Sequence, residues 1–283
     1  MIFSWLTEPL QYGFMQRGLA AAIIIGILCA VVGCYVVLRS MAFLGDALAH
    51  AILPGIAVAY LLGGSLIAGA LVAAIIVALS IGFFSRGGTI REDTAIGILF
   101  AAALSLGVAL ISSIRTYAVD LSHILFGNIL GVSAGDLWGV IILSAIVLAT
   151  MIILYRPFLV VSFDPVLAKT LRLPAEALRN LMLILLAVTI VVSMQTVGIG
   201  LVAAMLVTPA AAAYLLTRRL PAMMVVSGII GGLSSIVGLY LSYYLNIASG
   251  AAIVLVATFF FLLTFFFSPR RGLAWKALRQ NPS

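Results

Sequence analysis

The chain has 283 residues, of which 65% are hydrophobic and only 8% charged, with a mean hydropathy of +1.32. Soluble domains carry about 25% charged residues, so an ordinary water-facing surface is excluded and an integral membrane protein without a soluble domain is expected. The net charge of +7 has no arrangement that would serve nucleic acid, and it reads as an address for the cytoplasmic leaflet.

Apolar runs separated by charges or turn residues give about nine candidate spans of roughly 20 residues each. In chain order these are Gly18–Leu38, Ala42–Leu62, Ser65–Phe84, Thr94–Ser113, Leu137–Tyr155, Leu181–Val197, Gly200–Leu216, Ala222–Tyr244 and Ala251–Phe267. The expected fold is all-α: one polytopic helical bundle of about 8–9 spans over residues 1–283.

The first run ends at Arg39 with no small-residue cleavage site behind a short apolar core, so no removable signal peptide is expected. It holds Cys29 and Cys34. Five positions on a helix place them about 140° apart, which reads as two buried apolar residues and not as a thiol site.

The second run carries Asp46 and His50, four residues apart and therefore on one helix face. A carboxylate at membrane depth costs several kcal/mol unless compensated. A carboxylate and an imidazole aimed at one point suit a divalent first-row metal ion, which would compensate that charge. An inert polar pair between helices is the plainer reading. Pro54 and Gly55 follow, and the proline allows a bend near the pair. Two ligands are too few for a metal, but a symmetric dimer would bring two aspartates and two histidines together on its axis.

Further along, Asp120 and His123 lie three apart near the outer face, either as a candidate loading site or as ordinary loop polarity. The longest polar interruption runs from Arg156 to Asn180. Asp164 is a good N-cap with Pro165 in the first helical position, predicting a short helix over 165–172 that Leu173–Pro174 should end. Its apolar residues Val166, Leu167, Leu171 and Leu173 look made to dock on a partner, the plainer reading being a connecting loop. Gly198 to Gly200 could be a tight turn or a kink in one long helix. Gln195, Thr196, Thr208 and Pro209 could line a path or equally mark a helix kink with a satisfied hydroxyl. Gly228 and Gly232 have the G-x-x-x-G spacing that lets helix backbones approach closely.

If the carboxyl terminus is cytoplasmic and the spans alternate, thirteen of the fifteen basic residues fall inside, leaving Arg17 and Arg115 outside. The opposite orientation would violate the positive-inside rule. No nucleotide-cradling G-x-x-x-x-G-K-[ST] loop, H-E-x-x-H helix or G-x-S-x-G elbow is present, so an enzyme is not expected.

The stretches GDALAHAILPG (45–55), REDTAIGILFAAALSLG (91–107), HILFGNILGVS (123–133), FDPVLAKTLRLP (163–174) and VGIGLVAAMLVTPAAAAYLL (197–216) together resemble the membrane permease subunit of bacterial ABC importers for manganese, zinc or iron. The resemblance implies two paired permeases in the bacterial inner membrane, two cytoplasmic ATPase subunits and an extracytoplasmic metal-binding protein. It also implies that Asp46 and His50 contact the passing metal, and that 163–174 is the coupling helix docked on the ATPase. No permanently bound cofactor is implied; the metal is cargo. Carboxylate plus imidazole without thiolate slightly favours manganese. A gradient-driven secondary carrier using Asp46 and His50 as a proton or metal relay is the alternative, and an intramembrane metalloenzyme lacks an evident catalytic base.

Overall fold

The computed structural model describes residues 7–86, 90–113 and 129–268, and these contain helices and turns with no strand. The helices, in chain order, are α1 (Gly13–Leu38), α2 (Ala42–Ala51), α3 (Leu53–Leu61), α4 (Leu66–Phe84), α5 (Glu92–Ser112) and α6 (Ala134–Ile153). Then follow α7 (Tyr155–Phe163), α8 (Pro165–Thr170), α9 (Ala175–Val197), α10 (Ile199–Leu216), α11 (Leu220–Leu245) and α12 (Ser249–Phe267). Among the described residues eight segments are long and apolar enough to cross a bilayer, with α2 and α3 together forming one of them. The apolar stretch of α10, Val202–Leu216, is shorter. The chain is a multi-pass membrane protein.

α1 is the central post, packed by α11, α10, α6 and α9. Its approach to α11 is at backbone distance. A Cβ on Gly26 would overlap the Ser235 hydroxyl, and one on Gly231 would overlap the Gly26 carbonyl. The expected G-x-x-x-G pair is not the one that closes this crossing. Added Cβ atoms on Gly228 and Gly232 would meet Ile27 side-chain atoms at an ordinary 3.6 and 3.5 Å, because Gly231, one position before Gly232, points at α1. The Ser227 hydroxyl donates to the Ala30 carbonyl across the same contact at 2.8 Å, an interhelical bond worth about 0.6 kcal/mol in a bilayer.

Gly198 is a turn between antiparallel helices, not a kink. Arg39, just past the end of α1, reaches Met182 of α9, and Cys29 further along α1 meets Ser193 at 3.1 Å. α10 then comes back, with Leu206 against Gly33. The chain reverses through a single residue at φ +86, a conformation glycine adopts without steric cost. Cys29 and Cys34 are buried and free, as the plainer reading expects.

The Arg156–Asn180 interruption holds an additional helix, α7, whose Phe158 is buried edge-on against Tyr35 with ring centroids 6.0 Å apart. After it, the Asp164 side chain accepts from the Leu167 amide at 2.8 Å, capping α8. This helix ends at Thr170, earlier than the predicted 172. Pro174 disfavours helical geometry at Leu173, whose amide instead returns to the Ala168 carbonyl at 3.0 Å while Arg172 takes φ +53. That is a Schellman close with arginine where glycine is usual.

Candidate functional site

Asp46 and His50 lie on α2, and the break after that helix is built by sequence. Pro54 has no amide hydrogen to give the His50 carbonyl four residues back, so the span is interrupted at Ile52 between α2 and α3. Glycines hold the break in place. A Cβ on Gly55 would overlap the Gly69 carbonyl of α4, and one on Gly107 of α5 would come within 2.8 Å of Leu53 and 3.1 Å of Pro54.

Along α2 and α3, Phe43, Asp46, His50 and Val58 form a stripe that this chain's helices leave at least partly open. The Asp46 side chain is 42% exposed and that of His50 is 27% exposed. His50 Nδ1 lies 3.0 Å from the Asp46 backbone carbonyl. A carbonyl only accepts, so Nδ1 is the donor in this contact and Nε2 is the ring nitrogen left to face a ligand. The Nδ1 to Asp46 Oδ1 distance is 3.6 Å, too long for a hydrogen bond. The imidazole stands edge-on to Phe100 of α5 at 6.0 Å, and Phe100 is edge-on to Phe43 at 5.5 Å. The ring is thus fixed from one side by its own helix and from the other by a neighbour. Phe43 and Phe100 had no signal in a single sequence beyond their apolar character.

Gly45 of α2 faces Leu206 and Ala203 of α10, and Leu206 also faces Gly33 of α1. Asp46 is therefore about level with Gly33, five residues from Leu38. At 1.5 Å per residue this is roughly 8 Å along α1 from the arginine-bearing end, with His50 about 6 Å further in. The pair is brought together as expected, but among the described residues no third histidine, cysteine or acidic side chain joins it. Asp120 and His123 lie outside the described residues, and the side chains of Gln195 and Thr196 are likewise outside them. Of the predicted docking residues, Val166 is 74% exposed, Leu167 and Leu171 are exposed, and Leu173 folds back onto the core.

The sequence reading missed an ion pair below this site. Arg39 Nη2 donates to Glu92 Oε2 at 2.9 Å, with both side chains largely enclosed. Burial pushes the Arg39 guanidinium below its ordinary pKa, and the Glu92 carboxylate beside it acts in the opposite direction. Arg179 donates to the Gly82 carbonyl at 2.6 Å close by. The available signal was scarcity: with eight acidic residues in the chain, an arginine at a helix end needs one of them. Glu92→Gln is expected to cost roughly 1.5–3 kcal/mol, the worth of a hydrogen bond to a charged group. It should appear as a lower melting temperature in detergent, partly restored by the swap Arg39→Glu with Glu92→Arg. An unchanged melting temperature would mean the pair contributes nothing.

Comparison with known proteins gives one consistent picture. Residues 11–268 match the ABC 3 transport family. The chain is 48% identical over 275 residues to the manganese transport system membrane protein MntC of Halalkalibacterium halodurans, covering 96% of this chain and 94% of that one. It is 41% identical over 255 residues to a probable iron transport system membrane protein of Haemophilus influenzae, covering 90% and 94%. Among solved structures, PsaBC from Streptococcus pneumoniae in complex with Fab aligns with a TM-score of 0.86 at 38% identity, over 99% of this chain and 100% of that one. The inward-facing conformation of a putative metal-chelate type ABC transporter aligns at 0.70 and 16% identity over 88% and 85%, a likeness of fold alone. With eight segments of spanning length among the described residues and a family match over residues 11–268, the chain belongs to the ABC 3 transport family, as a membrane-spanning transport permease and not as an enzyme.

Proposed function

We propose that this permease forms the conduit of an ATP-driven importer for a divalent transition metal, manganese first, with zinc and iron as further cargoes. The observation that carries the metal site is an Asp46 carboxylate on a spanning helix that accepts no side-chain hydrogen bond among the described residues, on a stripe the chain's own helices leave partly open. Such a charge calls for a cation. Asp46 offers oxygen, His50 Nε2 offers nitrogen, and a second copy meeting the first along this stripe doubles the set to four ligands. Manganese is also the metal named for MntC, whereas the Haemophilus relative is named for iron.

The exposed apolar residues of α8 and the turn after it, Val166, Leu167 and Leu171, support a docking role for 163–174 against a cytoplasmic ATPase subunit. In that arrangement the arginine-bearing end faces the cytoplasm of a cell whose inner membrane holds the protein, and the carboxyl terminus lies on the same side. An extracytoplasmic binding protein delivers the ion opposite. Two ATPase subunits serve the two permeases.

The test is ATP hydrolysis by the permease reconstituted with its ATPase and binding protein, titrated with manganese, zinc and iron. Stimulation by manganese and ATP-dependent accumulation of the ion are expected. Accumulation driven by a proton gradient without any ATPase would instead establish the secondary carrier. Leu167→Asp should lower ATP-dependent uptake more than tenfold and release the ATPase on purification, because it puts a charge into the apolar contact. Retention of the ATPase with full uptake would remove 163–174 from the coupling role.

A further inference from the structure

α6 and α11 both pack on α1 but not appreciably on each other. They leave a cavity of about 740 Å³ along α1, a volume in the roughly 300–1,000 Å³ range of ligand pockets. Its floor is Ile27 and Val31, and one wall is opened by Gly228 and Gly232, which carry no side chain to fill it. Val225, Ile229 and Leu233 on its rim are exposed. The lining is almost wholly apolar, and at one end it finishes on Tyr155 and Pro221.

The groove faces away from the proposed conduit. Val31 is two positions from both Cys29 and Gly33, about 160° round the helix from each. Cys29 meets α9 and Gly33 meets α10, the helices that pack against α2. Assembly about the Asp46 and His50 stripe, on which this argument rests, therefore leaves the groove to the bilayer. Hydrocarbon must fill it, since an empty apolar gap forfeits dispersion contacts.

Arginines flank, in the chain, the lining residues at the Tyr155 and Pro221 end. Arg156 follows Tyr155, and Arg218 and Arg219 precede Pro221; all three are exposed. No salt bridge engages them among the described residues; Arg218 and Arg219 line a neighbouring pocket with Asp164, beside the groove and not within it. We propose that this groove is a binding site for an anionic phospholipid, with an acyl chain along Ile27, Val31, Gly228 and Gly232 and the headgroup phosphate held by Arg156 and Arg219. An acyl chain and a phosphate in one molecule match an apolar trough whose end residues, Tyr155 and Pro221, are flanked in the chain by exposed arginines.

Native mass spectrometry of the assembled importer, taken from micelles containing equal phosphatidylglycerol and phosphatidylcholine, tests the site. Wild type should retain phosphatidylglycerol at least fivefold over phosphatidylcholine. Two variants should each abolish that preference: Gly228→Leu, whose side chain grows into the groove, and the double change Arg156→Gln with Arg219→Gln. The arginine variant keeps the test decisive if the leucine variant fails to fold. Equal retention of both lipids by wild type, or unchanged preference in the arginine variant, would overturn the proposal. A Gly228→Cys protein that cross-links between permease copies would overturn it as well, and would also move the dimer contact off the Asp46 stripe. Loss of lipid preference without cross-linking leaves that stripe as the dimer contact.

Discussion

Asp46→Ala is expected to leave a folded, membrane-inserted permease that takes up no metal. Among the described residues the carboxylate has no hydrogen-bond donor to lose, and the His50 Nδ1 stands 3.6 Å away. Removing it should change stability by no more than about 0.5 kcal/mol, or raise it, since an uncompensated charge leaves the membrane interior. The effect on transport is much larger. Loss of a partner outside the ligand shell already costs about 10–100-fold in metal affinity, and twofold assembly would remove two ligands with one substitution. Uptake of radiolabelled manganese should fall by at least 100-fold on that scale, with the melting temperature and ATPase association retained. Asp46→Asn should behave nearly as badly, because it keeps the shape and loses the charge. Uptake at the wild-type rate by either variant would dismiss Asp46 as a ligand.

Much of this architecture is legible from charge and turn residues alone. The span limits follow from where Arg39, Gly63, Arg91 and Thr217 interrupt the apolar runs, because hydrocarbon tolerates neither exposed charge nor unpaired backbone. The bend beside the site was readable at Pro54, since the missing amide is a local fact. Contacts between distant segments were not readable. Glycine at 198 permits either a turn or a kink, and only the placement of Ser193 beside Cys29 and Leu206 beside Gly33 decides for reversal. The G-x-x-x-G spacing marked the correct helix, but the backbone approach is made beside it, where Gly231 meets Gly26. The Asp46 and His50 pair itself was visible as an i, i+4 motif. Its clamp by Phe100 was not, because an aromatic in an apolar helix carries no record of what it faces.

Gly33→Val is expected to prevent assembly of the bundle. A Cβ at this position would overlap the Leu206 carbonyl, so backbone would have to move, not a flexible side chain. Overpacking of a well-packed core typically costs about 1–3 kcal/mol, and a rigid obstacle puts this site at or above the top of that range. The damage also travels. Leu206 lies against Gly45, where a Cβ would stand only 3.2 Å from its Cδ1, so displaced α10 pushes on the turn of α2 that presents Asp46. Gly33→Ala should keep part of the fold and lose uptake through that displacement. Gly97→Ala in α5 is the control: nothing lies within 4 Å of the added atom, and replacing a helical glycine should stabilise by about 0.5–1 kcal/mol. Yield of monodisperse protein and its melting temperature in detergent separate the cases. Wild-type yield and melting from Gly33→Val would show that α1 and α10 do not meet at Leu206, and with that contact would go the depth assigned to Asp46 and His50.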